Sequence, residues 1–311
     1  MDIEILLVLQ NFRNGAGAFL SDFISKVTFF GELNTAIVLL AIVYWSISKN
    51  FGTYLLMGWT GNRIVNGFLK VTACAYRPWI RDSRIVPEAN ALKSATGYSF
   101  PSGHTMSASA IYGGGLFRKD IPLLLKVFLG LIVVLIAFSR IFLGVHTPQD
   151  VLVGTISGLI VMWLISKLFN YLEENPNKIT MVVVIGSVIA ILVALYASFK
   201  SYPVDYDSEG KILVDGAKMA NDTFKAVGWT IAFLVGWLLE RRYVKFSTDV
   251  KIINRVTRII TGSFGYYVVS LILLPLIKNL IAGPIGTVLT SFIQMFYISF
   301  VFPYLIKRFE K

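Results

Sequence analysis

The chain has two histidines, His104 and His146, and each stands where it can do chemistry. His146 precedes Thr147 and Pro148, residue types that suit the N-cap and first position of a helix. Asp150, four residues after His146, then falls in the first helical turn, where the two side chains can meet. A carboxylate on one imidazole nitrogen fixes the tautomer and leaves the other nitrogen free to attack. His104 follows Pro101, Ser102 and Gly103 at the start of another apolar helix. There it can protonate a leaving oxygen, help worth about 10²–10⁴-fold in rate. Ser102 and Gly103 occupy a helix N-terminus, whose free N–H groups and positive dipole end suit an anion, and glycine lets the backbone come close. Lys70, Arg77 and Arg140 offer charge-assisted hydrogen bonds to phosphate oxygens. Lys70 and Arg77 are two turns apart if one helix carries both. A nucleophile with its orienter, a separate acid and a cationic cradle together describe metal-free phosphoryl transfer through a phosphohistidine. Taken singly, each feature has a plain structural use. A histidine can cap a helix, an arginine can anchor a membrane edge, and Pro-Ser-Gly can simply start a helix.

The elements that must carry these residues are membrane helices. The sequence is 55% apolar and only 15% charged, where soluble domains carry about 25% charge. Near-spanning apolar runs recur at roughly 33–48, 52–74, 102–117, 122–143, 148–169 and 179–199. Three more follow at roughly 224–239, 257–277 and 284–306. The expected fold is an all-α polytopic integral membrane protein, with a six-helix core over 33–199 and a three-helix C-terminal part over 223–311. A polar insertion, 200–222, divides them. In the segment 1–32, Phe19, Leu20, Phe23, Ile24 and Val27 share one helical face opposite Ser21, Asp22, Ser25 and Lys26, the pattern of a helix lying at or dipping into the interface. Asp2 and Glu4 do not suit a signal peptide.

Charge orients the spans. The formal net charge is +11, and the loop 240–258 holds Arg241, Arg242, Lys245, Lys251, Arg255 and Arg258 against Glu240 and Asp249, a cytoplasmic signature. Threading the spans from there puts the three polar clusters on the outer side of a cell membrane. Arg77, Arg81, Arg84, Lys93 and Arg140 then lie against the positive-inside bias, and an anionic substrate accounts for them. Basic residues in short loops between spans do not suit nucleic acid. The single cysteine, Cys74, excludes an internal disulfide and a cysteine-based metal cluster.

Three stretches together are similar to a known family. Lys70-x₆-Arg77-Pro78, Pro101-Ser102-Gly103-His104 and Ser139-Arg140-x₅-His146-x₃-Asp150 resemble, in order and spacing, the motifs of the type 2 phosphatidic acid phosphatase superfamily. That family includes lipid phosphate phosphatases, bacterial acid phosphatases and vanadium haloperoxidases. The resemblance covers roughly residues 33–199. It implies His146 as nucleophile, Asp150 as its partner and His104 as the acid. It implies Lys70, Arg77, Ser102, Gly103, Ser139 and Arg140 as phosphate ligands, with no metal or other cofactor. The implied partner is a membrane-borne lipid phosphate or diphosphate: isoprenyl diphosphate, phosphatidylglycerol phosphate, phosphatidate or a lipid A phosphate. Transfer of phosphate or a phospho-headgroup to another lipid uses the same residues. A transporter or scramblase lined by the polar clusters is the reading from another class.

Other residues have two readings. Arg63 and Asn66 share a helical face with Lys70. They either extend the cradle inward or form a network within the bundle, and Pro78 and Pro101 are candidates to shape it from behind. Gly154-x₃-Gly158 and Gly113-Gly114-Gly115 suit close helix packing or a dimer face. The loop 79–100 is either a headgroup-selecting lid or a solvated connector.

Overall fold

The computed structural model describes residues 2–310, and among them the architecture is helical, with one isolated antiparallel bridge between Tyr206 and Ile212. Helices are the natural outcome for such a chain, because lipid offers no partner for an unsatisfied backbone group. The protein is a multi-pass membrane protein: among the described residues, six helices are long and apolar enough to cross a bilayer.

Two helices precede the first apolar run, α1 (Asp2–Ala16) and α2 (Ala18–Phe29). Of the expected interfacial face of α2, Phe19 and Phe23 are exposed, while Ile24 is buried and Leu20 packs with it in a core cluster that includes Ala91, Phe142 and Leu143. Next come α3 (Leu33–Ile42), extended by a π turn at Val43–Ile47, and α4 (Lys49–Ala73). Ser48 separates them in an extended conformation and caps α4, its Oγ accepting from Phe51 N at 3.3 Å. At Cys74 the backbone turns left-handed (φ 48°) and α4 stops. Arg77 is therefore not on the same helix as Lys70. It lies in extended chain, just before Pro78 opens the short α5 (Pro78–Arg81). After α6 (Ala89–Leu92), the expected third span is short: α7 (Gly103–Ile111), followed by a 3₁₀ turn through the glycines at Gly113–Phe117. The remaining core helices are α8 (Leu123–Phe142), α9 (Pro148–Glu174) and α10 (Ile179–Phe199). Three more follow, α11 (Gly216–Val244), α12 (Ile252–Leu280) and α13 (Gly283–Phe309). On α8, α10 and α12 large apolar side chains such as Leu124, Leu192 and Leu271 point outward, as lipid-facing residues do.

The chain forms two compact units, both discontinuous in sequence. One holds the residues up to Ala36, Val65–Leu164 and Lys200–Ala220, and it contains all three motifs. The other holds Ile37–Ile64, Ile165–Phe199 and the chain from Asn221. In this second unit the C-terminal helices pack on α3 and α4 rather than on one another alone. Trp45 Nε1 donates to Ile298 O at 2.9 Å, and Trp59 packs on Trp229 with ring centroids 5.3 Å apart. Buried Arg258 donates to Trp45 O at 2.9 Å and pairs with Glu310. Lys49 pairs at 2.6 Å with Glu240, which is fully buried. Removing one partner from such a pair strands the other charge and costs about 3–5 kcal/mol.

Candidate active site

The sharp turn from α8 to α9 places His146. Leu143 N donates to Ser139 O and Gly144 N to Ile141 O, closing the end of α8. Gly144 then takes φ +73°, the left-handed conformation that a helix C-terminus commonly gives to glycine. Val145 N and His146 N both fold back onto Arg140 O at 3.2 Å. Arg140 and His146 are thereby tied together by backbone alone.

Helix α9 begins with a reciprocal cap. Thr147 N donates to Asp150 Oδ2 at 2.8 Å, and Asp150 N donates to Thr147 Oγ1 at 3.3 Å. This capping box satisfies two donors that a helix start otherwise leaves free. The same carboxylate oxygen lies 3.4 Å from His146 Nδ1 and accepts from Ser99 Oγ at 2.5 Å. On the other side of the ring, Arg77 Nη1 donates to His146 Nε2 at 2.8 Å. A guanidinium only donates, so Nε2 carries the lone pair and Nδ1 the proton, facing Asp150. Burial pushes the imidazole well below its ordinary range, and the positive charges of Arg77, Arg140 and Lys70 add to this. The ring is therefore neutral, with its lone pair on Nε2, as an attacking nitrogen requires.

Arg77 is itself buried, which lowers it to about 10 against the opposing pull of Asp150, and it stays charged. Its other donors reach Val145 O at 2.8 Å, Gly97 O at 3.0 Å and Thr96 O at 3.3 Å. Arg140 is fully buried and gives one bond, from Nη1 to Thr28 Oγ1 at 2.7 Å. Its Nε and Nη2 have no hydrogen-bond partner among the described residues, and neither has the buried Oγ of Ser102. Unpaired buried donors are costly, and an anion satisfies them. Lys70 donates to Tyr98 O at 2.8 Å and is half-buried.

The Pro-Ser-Gly-His turn docks directly on α9. Ser102 N donates to Asp150 O at 3.0 Å, and Ser102, the N-cap of α7, makes no side-chain cap of its own. Asn66 Nδ2 reaches Pro101 O and Met106 Sδ, both at 3.3 Å, so it supports this turn from α4. The approach depends on Gly154, where a Cβ would stand 2.9 Å from Ser102 O and 3.3 Å from Ser102 N. Gly154→Ala is expected to destabilise the fold by about 1–3 kcal/mol and to lower activity. A thermal-unfolding midpoint in detergent checks this, and an unshifted midpoint would contradict it.

The structure thus brings His146, Asp150, Arg77, Lys70, Ser102, Gly103 and Arg140 into one unit, with His104 buried in the first turn of α7. Ser139 is buried beside Arg140 but spends its hydroxyl on Ile136 O at 2.7 Å. Pro78 opens α5 and Pro101 precedes the N-cap of α7, and both are buried. Arg63 belongs to the second unit, where Asp222 supplies its countercharge. Two of the loop arginines are already paired, Arg81 with Asp2 at 2.8 Å and Arg84 with Asp82 and Glu4 at 2.7 and 3.2 Å. Three contributors were not singled out from the sequence: Ser99, Thr28 and Arg13. Arg13 on α1 donates to Phe142 O at 2.9 Å and Val86 O at 2.5 Å, clamping the end of α8 to the 79–100 loop. Ser99 had a local signal, lying three residues before Ser102 in the same polar turn. Thr28 and Arg13 reach the site only through contacts distant in sequence. Among the described residues, no group of three or more His, Cys, Asp or Glu side chains is placed to hold a metal ion.

Comparison with known proteins gives matches to both parts of the chain. Residues 51–174 match the PAP2 superfamily, and residues 224–311 match the transmembrane extension of PAP2 superfamily phosphatases. Phosphatidylglycerophosphatase B of Bacillus subtilis (strain 168) is 34% identical over 122 residues, covering 37% of this chain and 56% of that protein. The crystal structure of a transmembrane PAP2-type phosphatidylglycerolphosphate phosphatase from Bacillus subtilis superposes with a TM-score of 0.44 at 25% identity. It covers 55% of this chain and 84% of that one.

Proposed function

Because the chain belongs to the PAP2 superfamily, we propose that it is a membrane lipid phosphatase, hydrolysing a lipid phosphate through a phosphohistidine on His146. The observation that carries this reading is the neutral, buried His146. Its Nε2 faces Arg77 at 2.8 Å, its Nδ1 faces Asp150 at 3.4 Å, and buried Arg140, whose charge acts on the ring, keeps two donors unpaired.

The phosphate group of the lipid takes over the Arg77 donor that holds Nε2, and binds the free donors of Arg140, the Ser102 hydroxyl and Lys70. Nε2 attacks phosphorus, and the bond from phosphorus to the lipid oxygen breaks. His104 gives that oxygen a proton, so the lipid leaves as an alcohol. Asp150 holds the proton on Nδ1 and stabilises the positive ring that forms. Water then attacks the phosphohistidine and passes a proton to His104, and inorganic phosphate leaves. Fixed cations aimed at the charge that grows on the phosphoryl oxygens supply most of the rate. The chemistry asks for no metal.

Phosphatidylglycerol phosphate is the first substrate to try, since the similar Bacillus protein carries that activity in its name. Phosphatidate and isoprenyl diphosphate offer the same reacting group. On this reading the strongly basic loop 240–258 lies on the cytoplasmic side and the motif clusters face the extracytoplasmic side of a cell membrane.

Purified protein in detergent, given a panel of lipid phosphates with excess EDTA, is expected to release free phosphate, and vanadate is expected to inhibit. Label appearing on an added alcohol instead would make the protein a transferase. No turnover of any member would favour a transporter. The acid limb of kcat/KM offers a further check. A histidine held well below its ordinary value stays unprotonated as pH falls, and loses its lone pair only below that lowered value. The limb is therefore expected below about pH 6.5, the value for a free imidazole. A limb at about that value or above would show a solvated histidine, or one held charged by Asp150.

A further inference from the structure

We propose that the turn joining α2 to α3, residues 28–32, is a wall of the phosphate site, and that Thr28 is a positioning residue for Arg140. The proposal rests on the phosphatase reading of the site, but it concerns a part of the chain that precedes the matched segment 51–174.

The turn is tightly built. Phe30 N donates to Val27 O, Gly31 N to Thr28 O and Glu32 N to Phe29 O, while Glu32 O receives Ala36 N at 2.9 Å and starts α3. It touches both halves of the catalytic machinery. Thr28 is buried, and its Oγ1 accepts from Arg140 Nη1 at 2.7 Å. Gly31 lies on the first turn of α7, where a Cβ would stand 3.3 Å from His104 O, 3.4 Å from His104 Cβ and 2.9 Å from Ile136 Cγ2. Glu32, half-buried, adds a carboxylate whose charge acts on Arg140.

A guanidinium with five donors on a long stem needs more than a turn at its base to aim it. The backbone around Arg140 fixes where the residue starts. Thr28 is the only side chain among the described residues that hydrogen-bonds the guanidinium. With Nη1 held by Thr28, the fork sits with Nε and Nη2 unpaired and left for the phosphate. Two donors on one edge of a rigid plane suit two oxygens of a phosphoryl group. Because Thr28 never meets substrate in this arrangement, it acts through Arg140.

The test uses the full chain in detergent with three variants, Thr28→Val, Thr28→Ala and Thr28→Ser. Valine keeps the shape and removes the acceptor, alanine removes it with less bulk, and serine restores it. Three quantities are read: kcat/KM on phosphatidylglycerol phosphate, vanadate affinity by calorimetry, and the thermal midpoint. Losing a hydrogen bond to a charged group is expected to lower kcat/KM by about 10–100-fold in the valine and alanine variants. Vanadate affinity should weaken alongside it, and serine should stay within about threefold of the native protein. A merely structural role would shift the midpoint in step with activity and leave vanadate affinity intact in whatever protein stays folded, and that result overturns the proposal. So does a folded valine or alanine variant with native kcat/KM and native vanadate affinity. If the native protein hydrolyses no lipid phosphate, the phosphatase reading fails by itself. The vanadate arm then still decides the role of Thr28.

Discussion

His146→Ala is expected to lower turnover of a lipid phosphate by about 10⁴-fold or more, the scale set by removing an attacking side chain that works as a unit with its base and orienter. The alternatives for the attacking atom are few. Nε2 has its lone pair turned toward Arg77, and Asp150 holds the opposite edge of the ring. Without the imidazole, the cationic cradle still binds phosphate but nothing attacks it. The variant should therefore keep vanadate affinity within an order of magnitude while losing turnover. Native protein mixed with labelled substrate and quenched in base should hold phosphate in an acid-labile bond, and the variant should hold none. Full turnover by His146→Ala, or label on another residue, would sink the mechanism.

The second large effect is selective. In His104→Ala, hydrolysis of substrates whose leaving group is an alkoxide is expected to fall by about 10²–10⁴-fold. An aryl phosphate whose phenol leaves readily as the anion needs no proton at that step. Its first turnover should be slowed by no more than about tenfold, seen as a burst of phenol. Equal losses on both substrates would show that His104 matters for binding or for the fold, and not as an acid. The same comparison separates His104 from Arg140, whose loss should slow both substrates alike.

Much of this arrangement can be read directly from residue types. Thr147-Pro148-x-Asp150 announces a capped helix start, and the cap itself carries the carboxylate to His146. Ser102 and Gly103 do begin α7. The later spans follow from apolar length, because lipid sets that length. Where local rules lose their grip, the reason is tertiary. No propensity requires Cys74 to turn left-handed, yet that turn ends α4 and puts Arg77 on extended chain. The glycines after α7 looked like a packing stripe within a long span, and they form a 3₁₀ turn that ends a short one. Arg81 and Arg84 counted as free anion-binding charge until α1 supplied Asp2 and Glu4. Thr28 and Arg13 reach partners 112 and 129 residues away, and nothing near them in the chain announces those partners. The polar clusters thus mark the residues proposed to react, while the contacts that hold them emerge only from the folded chain.

Two bonds tie the turn that carries His104 to the helix start that follows His146, Ser102 N to Asp150 O at 3.0 Å and Ser99 Oγ to Asp150 Oδ2 at 2.5 Å, with Gly154 admitting the close approach. The two segments are therefore expected to open together. Amide hydrogen exchange would register them as one cooperative opening, with Ser102, Thr147 and Asp150 losing protection at a common rate. His104 and His146 are then expected to keep their spacing through smaller fluctuations than that event.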